Sequence, residues 1–231
     1  MWPMGRIAVV HHNEEVGLGR LAEFLADHEQ FDVWAPDATY PDSVDGVVVM
    51  GGFMGAYETD AHPWLVDESK WIQLQVERGV PVLGICLGAQ LLAHALGGEA
   101  YRAPRPEVGV VEMRYTDEGR RHPAVSLLGE QAFVAHQDTF RLPPDAVLLA
   151  STDLYPAVFQ IGSALGVQCH PETSPEDARR WLQYLEGDIL PRAGVSTEQY
   201  LSEVENHGDA GDRSARAFFS KWFGNLRRSG R

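Results

Sequence analysis

Residues 81–98, PVLGICLGAQLLAHALGG, decide the reading of this 231-residue chain. Residues 81–85 are an apolar run of strand length, and 87–96 carry leucine and alanine at helical spacing before Gly97 and Gly98 end the pattern. Cys86 stands on the corner between them. Gly84 and Gly88 remove the side chains that would crowd a sharp strand-to-helix turn, which lifts the thiol into an exposed position above the sheet. The amides of Leu87 and Gly88 open the helix without intrahelical partners. Such free N–H groups, with the helix dipole behind them, favour an anion at the corner, whether a sulfur or an oxyanion.

A nucleophilic sulfur needs a base, and ALGVQCHPE at 164–172 supplies one. The segment reads as a buried strand followed by His170, Pro171 and Glu172. Imidazole can hold the thiol proton and return it to a leaving amine, while a carboxylate two residues on fixes the tautomer of the ring. Taken singly, Cys86 would be a small core residue and His170 a loop histidine. Together at strand ends, with glycines around the cysteine, they read with Glu172 as nucleophile, base and orienter. Upstream, the apolar run DGVVVM at 45–50 enters Gly51, Gly52, Phe53, Met54 and Gly55, a loop whose backbone amides are free to approach a substrate. The plain alternative is a turn that merely ends a strand.

Three motifs, VVVMGGFMGAYE at 47–58, GICLGAQLLA at 84–93 and GVQCHPE at 166–172, together resemble the class I (triad) glutamine amidotransferases, in particular the free-standing GMP-synthase-like members. The likeness covers most of residues 6–185. It implies an α/β fold, a flavodoxin-like three-layer sandwich with a mostly parallel central sheet and antiparallel additions. It implies that Cys86 attacks the side-chain amide of glutamine, releases ammonia and leaves a γ-glutamyl thioester for water to cleave. In that pattern His170 is the base, Glu172 its orienter, and Gly52 and Leu87 carry the oxyanion-hole amides. Gln90, one helical turn past Cys86, matches a glutamine that lines the substrate pocket. His136, Gln137 and Asp138, within VAHQDTFRLPPDAVLLAST at 134–152, match a segment that approaches the substrate mostly through its backbone; a second reading has Asp138 capping its own turn. No cofactor and no metal are implied. The implied substrate is glutamine or another γ-glutamyl compound. With no P-loop and no room for a synthetase domain, a separate synthetase is the implied receiver of the ammonia. A γ-glutamyl peptide hydrolase acting alone and a non-catalytic module on the same fold are the alternatives.

The order of elements supports this fold without the motifs. RIAVV (6–10), FDVWA (31–35), DGVVVM and PVLGI (81–85) read as strands alternating with helices at 17–28 and 62–79, as in a parallel sheet. Shorter segments near 108–116, 132–135, 146–150, 157–161 and 164–169 read as antiparallel additions to that sheet. Sites in such folds lie at the carboxyl ends of strands, where Gly52, Cys86 and His170 fall. Gly17, Gly19 and Ala22 with Asp37 imitate a dinucleotide fingerprint. Six residues, including Glu14 and Glu15, separate Val10 from Gly17, however, and a pyrophosphate needs the glycine at the strand end. His11 and His12 read as a solvated loop, since adjacent residues rarely aim at one metal ion.

Composition narrows the setting. A net charge of −14 argues against nucleic-acid binding. Two cysteines give no disulfide framework, and Cys169 reads as buried and inert, so a reducing cytoplasm is expected. No run reaches the roughly 18 apolar residues of a membrane span, and MWPMGRIAVV lacks the apolar core of a signal peptide. Residues 211–231 carry a basic excess, Arg213, Arg216, Lys221, Arg227, Arg228 and Arg231 against Asp212 alone. Ala215, Phe218, Phe219, Trp222, Phe223 and Leu226 share one helical face, with Asp212 as its cap. Residues 1–192 are therefore expected as the catalytic domain and 193–231 as an extension. In it, 193–212 reads as a mobile connection to an amphipathic helix packed on the chain's own core or, failing that, on a partner or second copy.

Overall fold

The computed structural model describes residues 5–229; residues 1–4 and 230–231, Arg231 among them, and the side chains of Arg227, Arg228 and Ser229 lie outside that description. The chain opens with β1 (Arg6–His11), a 3-10 turn at Gly19–Leu21, α1 (Ala22–Leu25), β2 (Glu29–Trp34), β3 (Gly46–Val49), α2 (Trp64–Glu77), β4 (Val82–Ile85) and α3 (Leu87–Ala95). It continues with β5 (Glu99–Glu112), β6 (Arg114–Tyr115), α4 (Asp117–Arg121), β7 (Gln131–Arg141), β8 (Val147–Ser151), β9 (Pro156–Ile161) and β10 (Ala164–Val167). Three helices close it: α5 (Pro175–Leu185), α6 (Ile189–Ala193) and α7 (Thr197–Ser229).

An eight-stranded sheet in the order β2-β1-β3-β4-β10-β9-β8-β6 forms the middle layer. Its first five strands run parallel, and β9, β8 and β6 continue it antiparallel. Alternate side chains leave a strand on opposite faces. Ile7, Val9, Val48, Leu83 and Ile85 thus pack with Leu21, Leu25, Phe218, Phe219 and Trp222 on one side. Ala8, Val10, Val47, Val49 and Val82 meet Leu65 and Ile72 of α2 and Leu91 and Leu92 of α3 on the other. Because both faces are covered, β3 and β4 are apolar or glycine throughout and fully buried.

Three expectations change. The segments near 108–116 and 132–135 do not all join the central sheet: β5 and β7 form their own antiparallel ribbon, while only β6 from that stretch reaches it. The ribbon's ladder shifts between Arg102 and Glu107, where Pro104 and Pro106 lack the N–H a ladder needs. The helix read at 17–28 shrinks to the 3-10 turn and α1. Gly19 takes φ +48°, and Arg20 N–H donates to Glu172 O at 2.8 Å, which bends the chain around the loop after β10.

The third change is in the C-terminal extension, where 197–229 is one helix and not a mobile connection followed by a helix. Ser196 sits just before it, its Oγ accepting from Gln199 N–H at 3.1 Å, so Asp212 is mid-helix and caps nothing. The polar half is pinned by Tyr200 and Val204, both buried, with Tyr200 O–H donating to Ala178 O at 2.7 Å. Asp212 instead takes a bond from Arg20 Nε at 3.1 Å. The second half buries Ala215, Phe218, Phe219, Trp222, Phe223 and Leu226 in the sheet's own core. No helix among the described residues is long and apolar enough to cross a membrane.

Candidate active site

β3, β4 and β10 lie side by side and parallel, with Val49 opposite Gly84 and Ile85 opposite Val167, so their carboxyl ends open on one edge of the sheet. Gly52, Cys86 and His170 lie just beyond those ends. Cys86 has φ 52° and ψ −106°, a backbone conformation no other non-glycine residue shares among the described residues on the positive-φ side. Its N–H donates to Val167 O at 2.8 Å, and its carbonyl accepts from Ala89 and Gln90 as α3 begins. The flanking glycines make room for this elbow. A Cβ on Gly84 would lie 2.4 Å from Gly88 O, and one on Gly88 2.2 Å from Val49 O. The thiol is nonetheless not exposed: Cys86 is 5% accessible, at the base of a cavity of about 340 Å3 shared with Gly52, Gln90, His136, His170 and Trp181.

His170 and Glu172 form a buried pair, with His170 Nδ1 2.7 Å from Glu172 Oε1. The residue is anchored by its backbone N–H, which donates to Phe133 O at 2.9 Å, and the ring by an edge-on contact with Trp181, 4.8 Å between centroids. Its Nε2 is buried and makes no hydrogen bond to the protein. A Cβ on Gly51 would lie 3.4 Å from His170 Cε1 and 3.7 Å from Cys86 Cβ, so the two side chains face each other over that glycine. Burial pushes the imidazole down, but the charges of Glu172 and Cys86 outweigh it and hold the ring up at about 10. Burial pushes the Cys169 thiol far up, as expected of an inert cysteine.

The remaining sequence-derived residues gather around this centre. Gly52 lines the cavity, and Leu87 begins α3 with its N–H ahead of the first intrahelical bond. Gln90 also lines it, its amide donating to Asp138 O at 3.1 Å and Gln168 Oε1 at 3.3 Å. His136, Gln137 and Asp138 reach the same cavity from β7. His136 Nδ1 contacts Asp138 O at 2.9 Å, and its Nε2 lies 3.2 Å from Glu107 Oε2. Asp138 is in mid-strand and caps no turn; its carboxylate accepts from Tyr57 O–H at 2.8 Å. Burial pushes that carboxyl up against the opposing pull of Tyr57 and Arg102.

Sequence reasoning missed Gln168, whose Nε2 donates to Cys86 Sγ at 3.5 Å; its place in GVQCHPE beside the cysteine strand was the available signal. It also missed the use of the false dinucleotide glycines. A Cβ on Gly19 would lie 2.1 Å from Glu172 O, so the loop after β1 braces the loop that carries His170 and Glu172. His11 and His12 are not solvated. His11 stacks on Trp34 at 4.4 Å and pairs with Asp32 at 2.8 Å, and His12 is enclosed with Glu68 at 3.1 Å. A histidine beside a strand end is buried here because its carboxylate partner comes from a distant element. No group of three or more His, Cys, Asp or Glu able to hold a metal ion occurs among the described residues.

Fold and site together define a doubly covered α/β sheet with a cysteine elbow facing a histidine-carboxylate pair. The family described as glutamine amidotransferase class-I matches over residues 19–184. The chain is 31% identical over 181 residues to the glutamine amidotransferase-like protein YfeJ of Salmonella typhimurium, covering 74% of this chain and 76% of that one. It is 35% identical over 178 residues to the GMP synthase of Aeropyrum pernix, 71% of this chain but only 32% of that enzyme. The crystal structure of a glutamine amidotransferase from Methylobacillus flagellatus superposes with a TM-score of 0.85 at 25% identity over 96% of both chains. One from Thermotoga maritima gives 0.79 at 26% identity, over 94% of this chain and 97% of that one. The chain belongs to the class-I glutamine amidotransferases.

Proposed function

We propose that this chain hydrolyses the side-chain amide of glutamine through a thioester on Cys86. The observation that carries the reading is the elbow cysteine and His170 lining one cavity, with Glu172 buried against the far side of the imidazole. Cys86 Sγ attacks the amide carbon while His170 keeps the thiol proton. The carbonyl oxygen becomes an oxyanion held by the N–H groups of Gly52 and Leu87. Collapse of that intermediate breaks the C–N bond, with His170 returning the proton so that ammonia leaves. Water then adds to the γ-glutamyl thioester, giving glutamate and the free thiol. Gln90, His136, Gln137 and Asp138 frame the substrate, and all of these residues fall within 1–192, which we take as the catalytic part. The reading needs a reducing compartment such as the cytoplasm, where Cys86 stays a thiol.

The ammonia goes, in this reading, to an acceptor held by a separate synthetase, as the likeness to a third of a GMP synthase suggests. A second reading has an observation of its own. Much of the cavity lining is apolar, Val16, Phe53, Met54, Trp181, Leu185 and Ile189 among it, and suits the larger leaving group of an N-substituted γ-glutamyl compound. Glutamate release should be measured from glutamine and from γ-glutamyl peptides side by side, with labelling of Cys86 by a glutamine-like chloroketone. Turnover of peptides without turnover of glutamine selects the second reading. A folded protein that takes no label at Cys86 and turns over neither substrate is a non-catalytic module, and both readings fall.

A further inference from the structure

Beneath the glycine loop lies an ion pair that the chemistry above does not use. His12 follows β1 and Glu68 projects from α2, and both side chains are wholly inaccessible to solvent. His12 Nε2 lies 3.1 and 3.3 Å from the two carboxylate oxygens, and Nδ1 lies 3.0 Å from Gly51 O. Trp64 covers the imidazole, 5.8 Å between centroids. A charge pair so placed carries a large desolvation penalty, and apolar side chains of the same size would fill the space as well. What distinguishes the pair is the group it holds.

That group is the peptide joining Gly51 to Gly52. In a trans peptide the C=O and the N–H point in opposite directions. With Gly51 O held by His12, the Gly52 N–H points away from His12, and among the described residues it donates to no protein acceptor. Gly52 lines the cavity that contains Cys86. It is also boxed in: a Cβ there would lie 2.6 Å from Leu87 Cδ2, 2.8 Å from Met54 Sδ and 3.0 Å from His12 Cβ.

We propose that Glu68 and His12 are positioning residues for the oxyanion site, fixing and polarising the Gly51–Gly52 peptide so that its N–H is aimed before substrate arrives. This rests on the reading of Cys86 as nucleophile and Gly52 as donor. Both ring nitrogens face oxygens, Nδ1 the Gly51 carbonyl and Nε2 the Glu68 carboxylate, an arrangement that a doubly protonated ring satisfies; burial pushes the ring's pKa down, but Glu68 beside it more than compensates and moves it up. A charged donor on the carbonyl strengthens the N–H of the same peptide as a donor on its other side. The pair touches neither substrate nor sulfur and acts only through this peptide.

The test uses Glu68→Gln, which keeps the shape and removes the charge, and His12→Phe, which keeps the ring on Trp64 and removes the donor. Three reactions are compared: glutamine turnover, binding of glutamate γ-semialdehyde, and alkylation by iodoacetamide. The semialdehyde adds the Cys86 thiol and places its oxygen in the oxyanion site, whereas alkylation displaces iodide and forms no oxyanion. Losing a whole oxyanion donor lowers kcat by about 10²–10³. A loosened donor should lower it by about 10- to 100-fold, with KM within about threefold, semialdehyde binding weakened in parallel and alkylation of Cys86 within about threefold. A folded Glu68→Gln protein with wild-type kcat and semialdehyde affinity overturns the proposal. So does a parallel fall in all three reactions, since that means the whole site is displaced. A wild-type protein that neither hydrolyses glutamine nor takes up the semialdehyde at Cys86 overturns the catalytic reading itself, and the role of the pair with it.

Discussion

Replacing Glu172 by glutamine probes the His170 couple most directly. The carboxylate is buried, 2.7 Å from His170 Nδ1, and accepts a second bond from Thr173 Oγ1 at 3.3 Å. Glutamine has the same shape but two outcomes at that spot. If its NH2 faces Nδ1, the ring proton is forced onto Nε2 and no lone pair faces Cys86. If its oxygen faces Nδ1, the imidazolium loses its counter-charge. The corresponding carboxylate-to-amide change in a serine triad lowers kcat by about 10⁴. We expect kcat for glutamine to fall by about 10³–10⁴, or roughly 4–5.5 kcal/mol of barrier. KM should hold within a few-fold, because Glu172 does not line the cavity.

The same substitution changes how stability depends on pH. His170 titrates near 6.5 when unfolded and is held up at about 10 in the fold, so folding binds its proton more tightly. Its contribution is complete below about pH 6.5 and is lost as pH rises through about 10. At about 1.36 kcal/mol per pH unit, the wild type should lose on the order of 4 kcal/mol across that window. In Glu172→Gln burial dominates, the ring falls and the slope disappears. Glutamate release gives kcat and KM, and denaturant unfolding at intervals from pH 6.5 to 10 gives the slope. A variant within tenfold of wild-type kcat, or a wild type equally stable at both ends of the window, refutes the reasoning.

Gly84→Ala should destabilise by about 1–3 kcal/mol in denaturant unfolding and slow Cys86 alkylation, because the new Cβ would meet Gly88 O at 2.4 Å. Phe219→Ala, emptying a fully buried site between α7 and the sheet, should destabilise by about 3–5 kcal/mol in the same assay. Tyr57→Phe removes a bond that favours the ionised Asp138, so an NMR titration of that carboxyl should show it moved further up.

The placement of Gly52, Cys86 and His170 beyond neighbouring strand ends, with Glu172 against His170, was legible in the sequence because it depends on local chemistry. Glycine spacing permits an elbow, and a carboxylate two residues from a histidine reaches its ring. The five parallel strands were legible for a similar reason, since burial on both faces writes itself as continuous apolar runs. What escaped depends on distant partners. The enclosure of His12 requires Glu68, 56 residues away, and α7 stays continuous through Tyr200 on Ala178, 22 residues back, and Asp212 on Arg20, 192 back. A polar residue carries no mark of the partner that buries it.

The glycines show why site and fold are hard to separate. Gly84 against Gly88, Gly88 against Val49 and Gly19 against Glu172 are backbone-to-backbone approaches that no side chain fits between. They join β4 to α3, α3 to β3, and the loop after β1 to the loop after β10. The cysteine elbow and the loop after β10 are thus held by neighbouring elements at main-chain distance, whereas the loop at Gly51 and Gly52 is held by the His12 side chain. The positive φ of Cys86 persists under that restraint, since strain at one residue survives only where its surroundings over-determine it. The sequence pattern that betrayed the elbow is the same pattern that clamps it, and of the two glycines most easily taken for a nucleotide signature, Gly17 and Gly19, it is Gly19 that closes on the main chain of the carboxylate segment.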